Sequence, residues 1–203
     1  MRKVTVIVFV MLIAAAAASA QDREYPKFEI PVTASALFFD VDKLGNETMW
    51  GWGIAGQGNI NKYFGIVGEW NATHGASTMP ANTKYPAIAG KEFDLRVQTL
   101  LFGPQVSYRT KPVTVFGRFQ VGAGTLKIDD ELKQLTGGST TSWQVAYAIG
   151  GGLDINAGKH FAIRPIQLDY VFIDSNLPQE LDSTVAPGAF NNVRYNFGAV
   201  FKF

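Results

Sequence analysis

Hydrophobic and polar residues alternate along most of this chain with a period of two, and almost nowhere with the helical period near 3.6. Eight alternating segments stand out, at 28–40, 49–60, 63–73, 93–108, 113–125, 142–155, 160–172 and 192–203. The clearest is SWQVAYAIGGGLDI. One face carries Trp143, Val145, Tyr147, Ile149, Leu153 and Ile155; the other carries Gln144, Ala146, Ala148, Gly150, Gly152 and Asp154. In WGWGIAGQGNI, Trp50, Trp52, Ile54 and Ile60 oppose Gly51, Gly53, Ala55, Gln57 and Asn59. Successive side chains of a strand point to opposite faces, so each segment predicts a strand with one apolar face. Between them, Asn61-Lys62, Arg109 to Pro112 and Asn156 to Lys159 read as tight turns, whereas 41–48, 74–92, 126–141 and 173–191 read as long polar loops.

An apolar face opposite a polar one has two solutions. A soluble sandwich turns the apolar face inward; a membrane barrel turns it to lipid. Three features favour the barrel. The second face is mostly Gly, Ala, Gln and charge, too poor to build a soluble core. Short turns alternate with long loops, as in outer-membrane barrels. Trp50, Trp52, Trp70 and Trp143 lie on the apolar face near the long-loop ends, and Phe28, Tyr108, Phe161 and Phe203 near the short-turn ends. Aromatics sorted by height match two membrane interfaces. The expected fold is all-β, an eight-stranded antiparallel up-and-down transmembrane barrel.

One apolar run is different in kind. After Arg2 and Lys3, thirteen apolar residues run from Val6 to Ala18, and Ala18-Ser19-Ala20 has the small-residue pattern of a cleavage site. A spanning helix needs roughly 20 apolar residues, so residues 1–20 are expected to be a cleaved signal peptide and 21–203 the barrel domain. An exported chain without cysteine has neither disulfides nor a lipid-bearing thiol. Without residues 1–20 the formal charge is −1, which gives no reason to expect nucleic acid as a partner.

The chain closes on RYNFGAVFKF, with Val193, Tyr195, Phe197, Ala199, Phe201 and Phe203 on the lipid face. An open strand edge is intolerable in hydrocarbon, so this strand should pair with the first. Signal peptide, eight alternating strands and a terminal aromatic strand ending in Phe together resemble the small OmpA/OmpX-type outer-membrane β-barrel family of Gram-negative bacteria. The resemblance implies a multi-pass barrel in the bacterial outer membrane, with both mature termini periplasmic and four extracellular loops. It implies a structural or surface-interaction role: envelope integrity, adhesion or recognition. Tyr195, Phe197, Phe201 and Phe203 then resemble the assembly signal read by the barrel-insertion machinery. The implied partners are that machinery, periplasmic chaperones, and outer-membrane lipids with lipopolysaccharide; a monomer is expected. A narrow solute channel and a lipid-modifying enzyme are the other classes the resemblance leaves open.

Two segments break the alternation at proline. In LRVQTLLFGPQVSY the outward set reads Leu95, Val97, Thr99 and Leu101, then Val106 and Tyr108. In HFAIRPIQLDY it reads Phe161 and Ile163, then Ile166, Leu168 and Tyr170. A bulge at Pro104 and another at Pro165 would restore the phase, because proline has no N–H to give a ladder.

The candidate chemistry is inside. Glu69, Arg118 and Arg164 are expected inward near mid-height, with Gln120, Gln144, Gln167 and Asp169 around them. An eight-stranded barrel is just wide enough to be filled by side chains, and buried charges must pair. Arg118 and Arg164 are expected to converge on Glu69, with Asp169 and the glutamines completing a static plug; a gate or polar conduit is the alternative. Elsewhere the signals are thin. His74 falls on the lipid-facing rim, where His74-Gly75-Ala76 lacks the serine of an H-x-S pair, and His160 at the other end. Asp40-Val41-Asp42 with Gly45 resembles the start of a calcium loop, but Leu44 and Gly51 occupy ligand positions. Asp129-Asp130-Glu131 reads as a solvated loop. No catalytic residue, metal or cofactor is expected.

Overall fold

A computed structural model describes residues 25–41, 45–78, 92–128, 143–174 and 189–203. The signal-peptide segment, the incipient calcium loop around Asp42 and the acidic run at 129–131 lie outside them. The described residues form eight strands: β1 (Phe28–Val41), β2 (Gly45–Asn59), β3 (Phe64–Thr78), β4 (Glu92–Arg109), β5 (Val113–Ile128), β6 (Gln144–Asn156), β7 (Phe161–Asp174) and β8 (Ala189–Lys202). Each pairs antiparallel with its sequence neighbour, and β8 returns to β1, so the barrel is closed.

Closure reaches the last residue. Phe203 N donates to Phe28 O (2.8 Å), and Phe203 O accepts from Phe28 N (3.1 Å) and Lys27 N (2.7 Å). No ladder group of these two strands is left to face hydrocarbon there. The three short connections have local chemistry that fixes them. Asn61 Oδ1 accepts from the backbone of Tyr63 (2.8 Å) and Phe64 (2.9 Å), closing an Asx turn. Thr110 Oγ1 bonds Val113 in the second. In the third, Gly158 has φ of +145°, a conformation a side chain would strain.

Alternation sorts the side chains as the barrel requires. Ile66, Phe102, Val106, Phe119, Ile149, Ile163, Leu168 and Phe197 are exposed on the outside, while Gln57, Gln120, Arg118, Arg164, Gln167, Asp169 and Arg194 are fully buried within. Tryptophans gather toward the long-connection end, with Trp50, Trp52 and Trp143 exposed. Trp70 is half-buried, edge-on to Trp52 at 4.8 Å between ring centroids. Toward the short turns stand Tyr108 and Phe161, the latter 5.8 Å from Phe201. The belts are not cleanly separated by aliphatics: Phe102, Phe119, Tyr147, Tyr170 and Phe197 are exposed on the same outer face.

The two prolines behave differently. At Arg164-Pro165 the register shifts against both β6 and β8, which is a bulge of one extra residue. A bulge leaves a ladder carbonyl free, and here Tyr195 Oη donates to Pro165 O at 2.6 Å. At Pro104 there is no bulge. The β3–β4 register is continuous through Ile66↔Pro104, and β4–β5 keeps the same register from Phe102↔Val121 to Gln105↔Arg118.

The apparent phase break in β4 therefore has another cause. Leu95, Val97, Thr99 and Leu101 point inward, not outward, and Asp94, Arg96 and Gln98 face out. Above the hydrocarbon, the outer face of a strand is free to be polar, so its apolar residues turn in. There they meet Leu37, Met49, Ala146, Ala148, Val171 and Ile173 in a hydrophobic cluster that fills the lumen at the long-connection end. The strands also extend farther than the alternation implied. Asp40↔Asn46 and Val41↔Gly45 are paired, so the expected loop at 41–48 shrinks to a hairpin connection at 42–44. The remaining long connections are 79–91, 129–143 and 175–188.

Candidate functional site

The lumen's middle storey is centred on Asp169 of β7. Arg118 of β5 grips it with Nε (3.0 Å to Oδ1) and Nη2 (2.7 Å to Oδ2). Asp169 Oδ2 also accepts from Gln167 Nε2 (2.7 Å), Asn196 Nδ2 (2.9 Å) and Arg194 Nη2 (3.2 Å). Arg194 of β8 turns its Nη2 also to Glu69 of β3, and its Nη1 donates to Thr99 Oγ1 of β4 (3.2 Å). Arg118 Nη1 lies 2.8 Å from Glu69 Oε2. A polar chain enters from the far side: Asn71 Nδ2 donates to Ser35 Oγ, which donates to Asn196 Oδ1, both at 2.6 Å.

Room for this comes from β6. A Cβ on Gly150 would stand 2.3 Å from Asp169 Oδ1 and 2.2 Å from Leu168 O, so the carboxylate occupies space that only glycine leaves.

Arg164 does not join Glu69. It lies beside Asp154 of β6, with Nε 2.7 Å from Oδ1 and Nη2 3.0 Å from Oδ2, while Nη1 donates to Gln167 Oε1 (2.7 Å). Its guanidinium sits over the inward ring of Phe116, 4.3 Å from the centroid. The correction is geometric. Asp154 and Arg164 flank the turn between β6 and β7, where the ladder Ile155↔Ile163 and Asn156↔Ala162 sets them at a common level before the bulge at Pro165. Arg118 and Arg194, not Arg118 and Arg164, share Glu69. Gln167 bridges the two groups through both ends of its amide. Among these residues, three arginines meet three carboxylates, so the middle of the lumen is electrically balanced.

Gln120 is fully buried, and its amide has no partner among the described residues. Gln144 is half-buried higher on β6, at the start of the strand. A third storey at the short-turn end was not foreseen. Glu29 accepts from Arg109 Nη2 and Asn59 Nδ2, both at 2.7 Å, and Gln57 Nε2 donates to Asn59 Oδ1 (2.8 Å). Arg109 also caps Lys62 O at 2.7 Å. Arg194 and Asp154 were readable from alternation, because both fall on inward positions of their strands. Arg109 was hidden by its place at a turn.

Of the terminal aromatics, Phe197 and Phe201 are exposed on the outer face, and Tyr195 and Phe203 are half-buried. His74 is exposed on the outside of β3, and His160 Nδ1 lies 3.1 Å from Lys202 O at the opposite end.

A closed antiparallel barrel with ion-paired charge inside and an apolar outer wall at mid-height is a transmembrane β-barrel. The family described as "Outer membrane protein beta-barrel domain" matches residues 6–203, and the chain belongs to it. Among curated proteins, none matches. Several solved structures share the fold. Neisserial surface protein A (NspA) is 14% identical with a TM-score of 0.60, covering 89% of this chain and 100% of that one. OprG from Pseudomonas aeruginosa is 14% identical with a TM-score of 0.58, covering 91% and 99%. Ail, the attachment invasion locus protein of Yersinia pestis, is 17% identical with a TM-score of 0.54, covering 88% and 99%. The protein is thus an outer-membrane β-barrel of eight strands.

Proposed function

We propose that this barrel is a non-conducting, non-enzymatic protein of the bacterial outer membrane that acts through its surface. The short turns and both mature termini lie in the periplasm, and the long connections are outside. The observation that carries this is the filled lumen: polar at the short-turn end, ion-paired in the middle, apolar at the long-connection end. A barrel closed by three different chemistries is a scaffold, and what it presents is at its rim. Two of the structurally similar barrels carry names of that kind, a surface protein and an attachment protein.

Orientation is testable because the chain has no cysteine. Ala76→Cys at the long-connection end should react with a membrane-impermeant maleimide on intact cells, and Ala157→Cys in the last short turn should react only after lysis. The reverse pattern would overturn the orientation. Planar-bilayer recording should show no steady conductance; a stable open pore would make the protein a channel. Exchanging residues 79–91 and 129–143 for short turns should leave insertion intact and abolish the surface phenotype of the gene's deletion. Full function without those connections would refute a surface role.

A further inference from the structure

The two ends of this barrel differ in the sign of their charge. The long connections 79–91, 129–143 and 175–188 hold five acids against three lysines. At the short-turn end the balance reverses. Below the ionic storey, Lys27, Lys62, Arg109, Lys111, Lys159 and Lys202 stand against the one described carboxylate side chain there, Glu29, which is buried on Arg109. Asp154, the nearest other acid, is already matched by Arg164 in the middle storey. No carboxylate side chain among the described residues is exposed at this end.

The exposed cations are distributed one to a turn. Lys62 lies between β2 and β3, Lys111 between β4 and β5, and Lys159 between β6 and β7. Lys27 precedes β1, half-buried where β8 comes back to it. Neighbouring turns are two strands apart, so successive lysines stand roughly 10 Å from each other around the rim. The turns are also tied to their neighbours through backbone carbonyls. Arg109 Nη1 donates to Lys62 O (2.7 Å), Asn156 Nδ2 to Thr110 O and Lys111 O (both 3.1 Å), and Asn59 Nδ2 to Pro26 O (2.8 Å). The face is therefore set before anything binds, which lowers the ordering cost of binding.

We propose that the short-turn end is a polycationic docking face for the cell wall, binding the free carboxylates of its peptide-crosslinked glycan. Charge complementarity and spacing argue for this occupant. Regularly placed cations match a polymer whose carboxylates recur, and several weak contacts on one rigid face add to a firm one. The turn tips, Asn61-Lys62, Thr110-Lys111-Pro112 and Ala157-Gly158-Lys159, offer no apolar centre of the kind around which a protein interface is built. Lipid headgroups meet the wall at the level of Tyr108 and Phe161, which are exposed on it, whereas a partner of the tips approaches along the barrel axis. The proposal goes beyond the surface role and rests on the short turns facing the periplasm.

The test uses the full mature barrel, folded in neutral detergent and sedimented with purified sacculi free of protein and lipid. Wild type should co-sediment saturably in dilute salt and be released at about 1 M NaCl, where the Debye length falls to roughly 3 Å. Lys62→Glu with Lys111→Glu and Lys159→Glu should weaken co-sedimentation about tenfold or more, since the loss at each turn multiplies. The turn bonds at Lys62 and Lys111 use backbone oxygens, which the substitutions keep. Should the triple variant fail to refold, glutamine at the same three positions gives the comparison without new charge. Arg96→Glu with Lys127→Glu, at the opposite end, should leave binding unchanged. Sacculi with amidated carboxylates should bind wild type as poorly as intact sacculi bind the triple variant. Phosphatidylglycerol added at equal charge should not displace the protein; displacement would assign the face to lipid headgroups and overturn this occupant. Equal co-sedimentation of wild type and the charge-reversed or glutamine variant, or undiminished binding to amidated sacculi, would overturn it as well. Sedimentation in detergent is blind to orientation, so its failure is distinguishable from a failure of the maleimide experiment.

Discussion

Replacing Asp169 by alanine should be the most damaging single change in the lumen, clearly worse than Glu69→Ala. Asp169 is the acceptor for Arg118 through two in-line bonds, and for Gln167, Asn196 and Arg194. Its loss leaves Arg118 buried with only its 2.8 Å contact to Glu69, which is not aligned as a hydrogen bond. Breaking a buried ion pair by removing one partner costs about 3–5 kcal/mol. The amide donors of Gln167 and Asn196 are orphaned as well, so the cost should fall at the upper end. Glu69→Ala is milder. Arg118 keeps its bidentate grip on Asp169, and Arg194 keeps Asp169 at 3.2 Å and Thr99 at 3.2 Å. That leaves a net loss nearer one well-placed charged hydrogen bond, about 1.5–3 kcal/mol. Guanidinium titration of the refolded barrel in lipid vesicles, followed by tryptophan fluorescence and by heat-modifiable gel migration, should rank the two about 2 kcal/mol apart. The pair Asp169→Ala/Arg118→Ala should recover part of the loss, because no guanidinium is then stranded. Glu69→Ala as costly as Asp169→Ala, or both neutral, would show that the charges do not meet as described.

Phe203→Ala should lower insertion in cells strongly yet barely affect refolding in detergent. The ring is half-buried at the barrel rim, and the β1 bonds are made by backbone atoms that alanine retains. Equal amounts of inserted wild type and variant would refute an assembly role for the ring. Tyr195→Phe should cost about 1–3 kcal/mol, since it orphans the Pro165 carbonyl at the bulge in a place where water is scarce. An unshifted denaturation midpoint would mean that the hydroxyl is dispensable.

What the sequence revealed follows the environment of each strand. Along β2, β6 and β8 the outer face meets hydrocarbon for most of its length, so the apolar residues mark one face and the alternation is unambiguous. Upper β4 leaves the hydrocarbon, and there the same pattern inverts. Leu95, Val97 and Leu101 turn in because Asp94, Arg96 and Gln98 can face water or headgroups. Alternation alone cannot say which regime a rung is in; that depends on strand length and tilt. The inward positions of Glu69, Arg118, Arg164 and Asp169 could be counted along each strand, but not who meets whom. Partners across a lumen are set by the stagger between strands, and at the β6–β7 turn by the local register that sets Asp154 opposite Arg164. Hence Arg164 meets Asp154 and not Glu69, and Arg194, on the inward face of β8, supplies the second guanidinium.

The arrangement of the lumen also bears on why it is charged at all. A buried ion network is weak evidence for stability, since well-packed apolar residues of similar volume often serve as well. The apolar cluster around Leu101 shows that this barrel can fill part of its lumen in that way. The ionic storey lies where β6 narrows to Gly150, Gly151 and Gly152 and only long side chains from the facing strands can span the gap. Arginine does this with a planar head that satisfies two carboxylates at once, as Arg118 does for Asp169 and Glu69. Such directional pairs accept one register between β3, β5, β7 and β8, whereas an apolar filling would tolerate a slip. Specifying the stagger of a closed barrel is a task that greasy packing performs poorly, and balanced charge performs it here without leaving a net charge in the membrane.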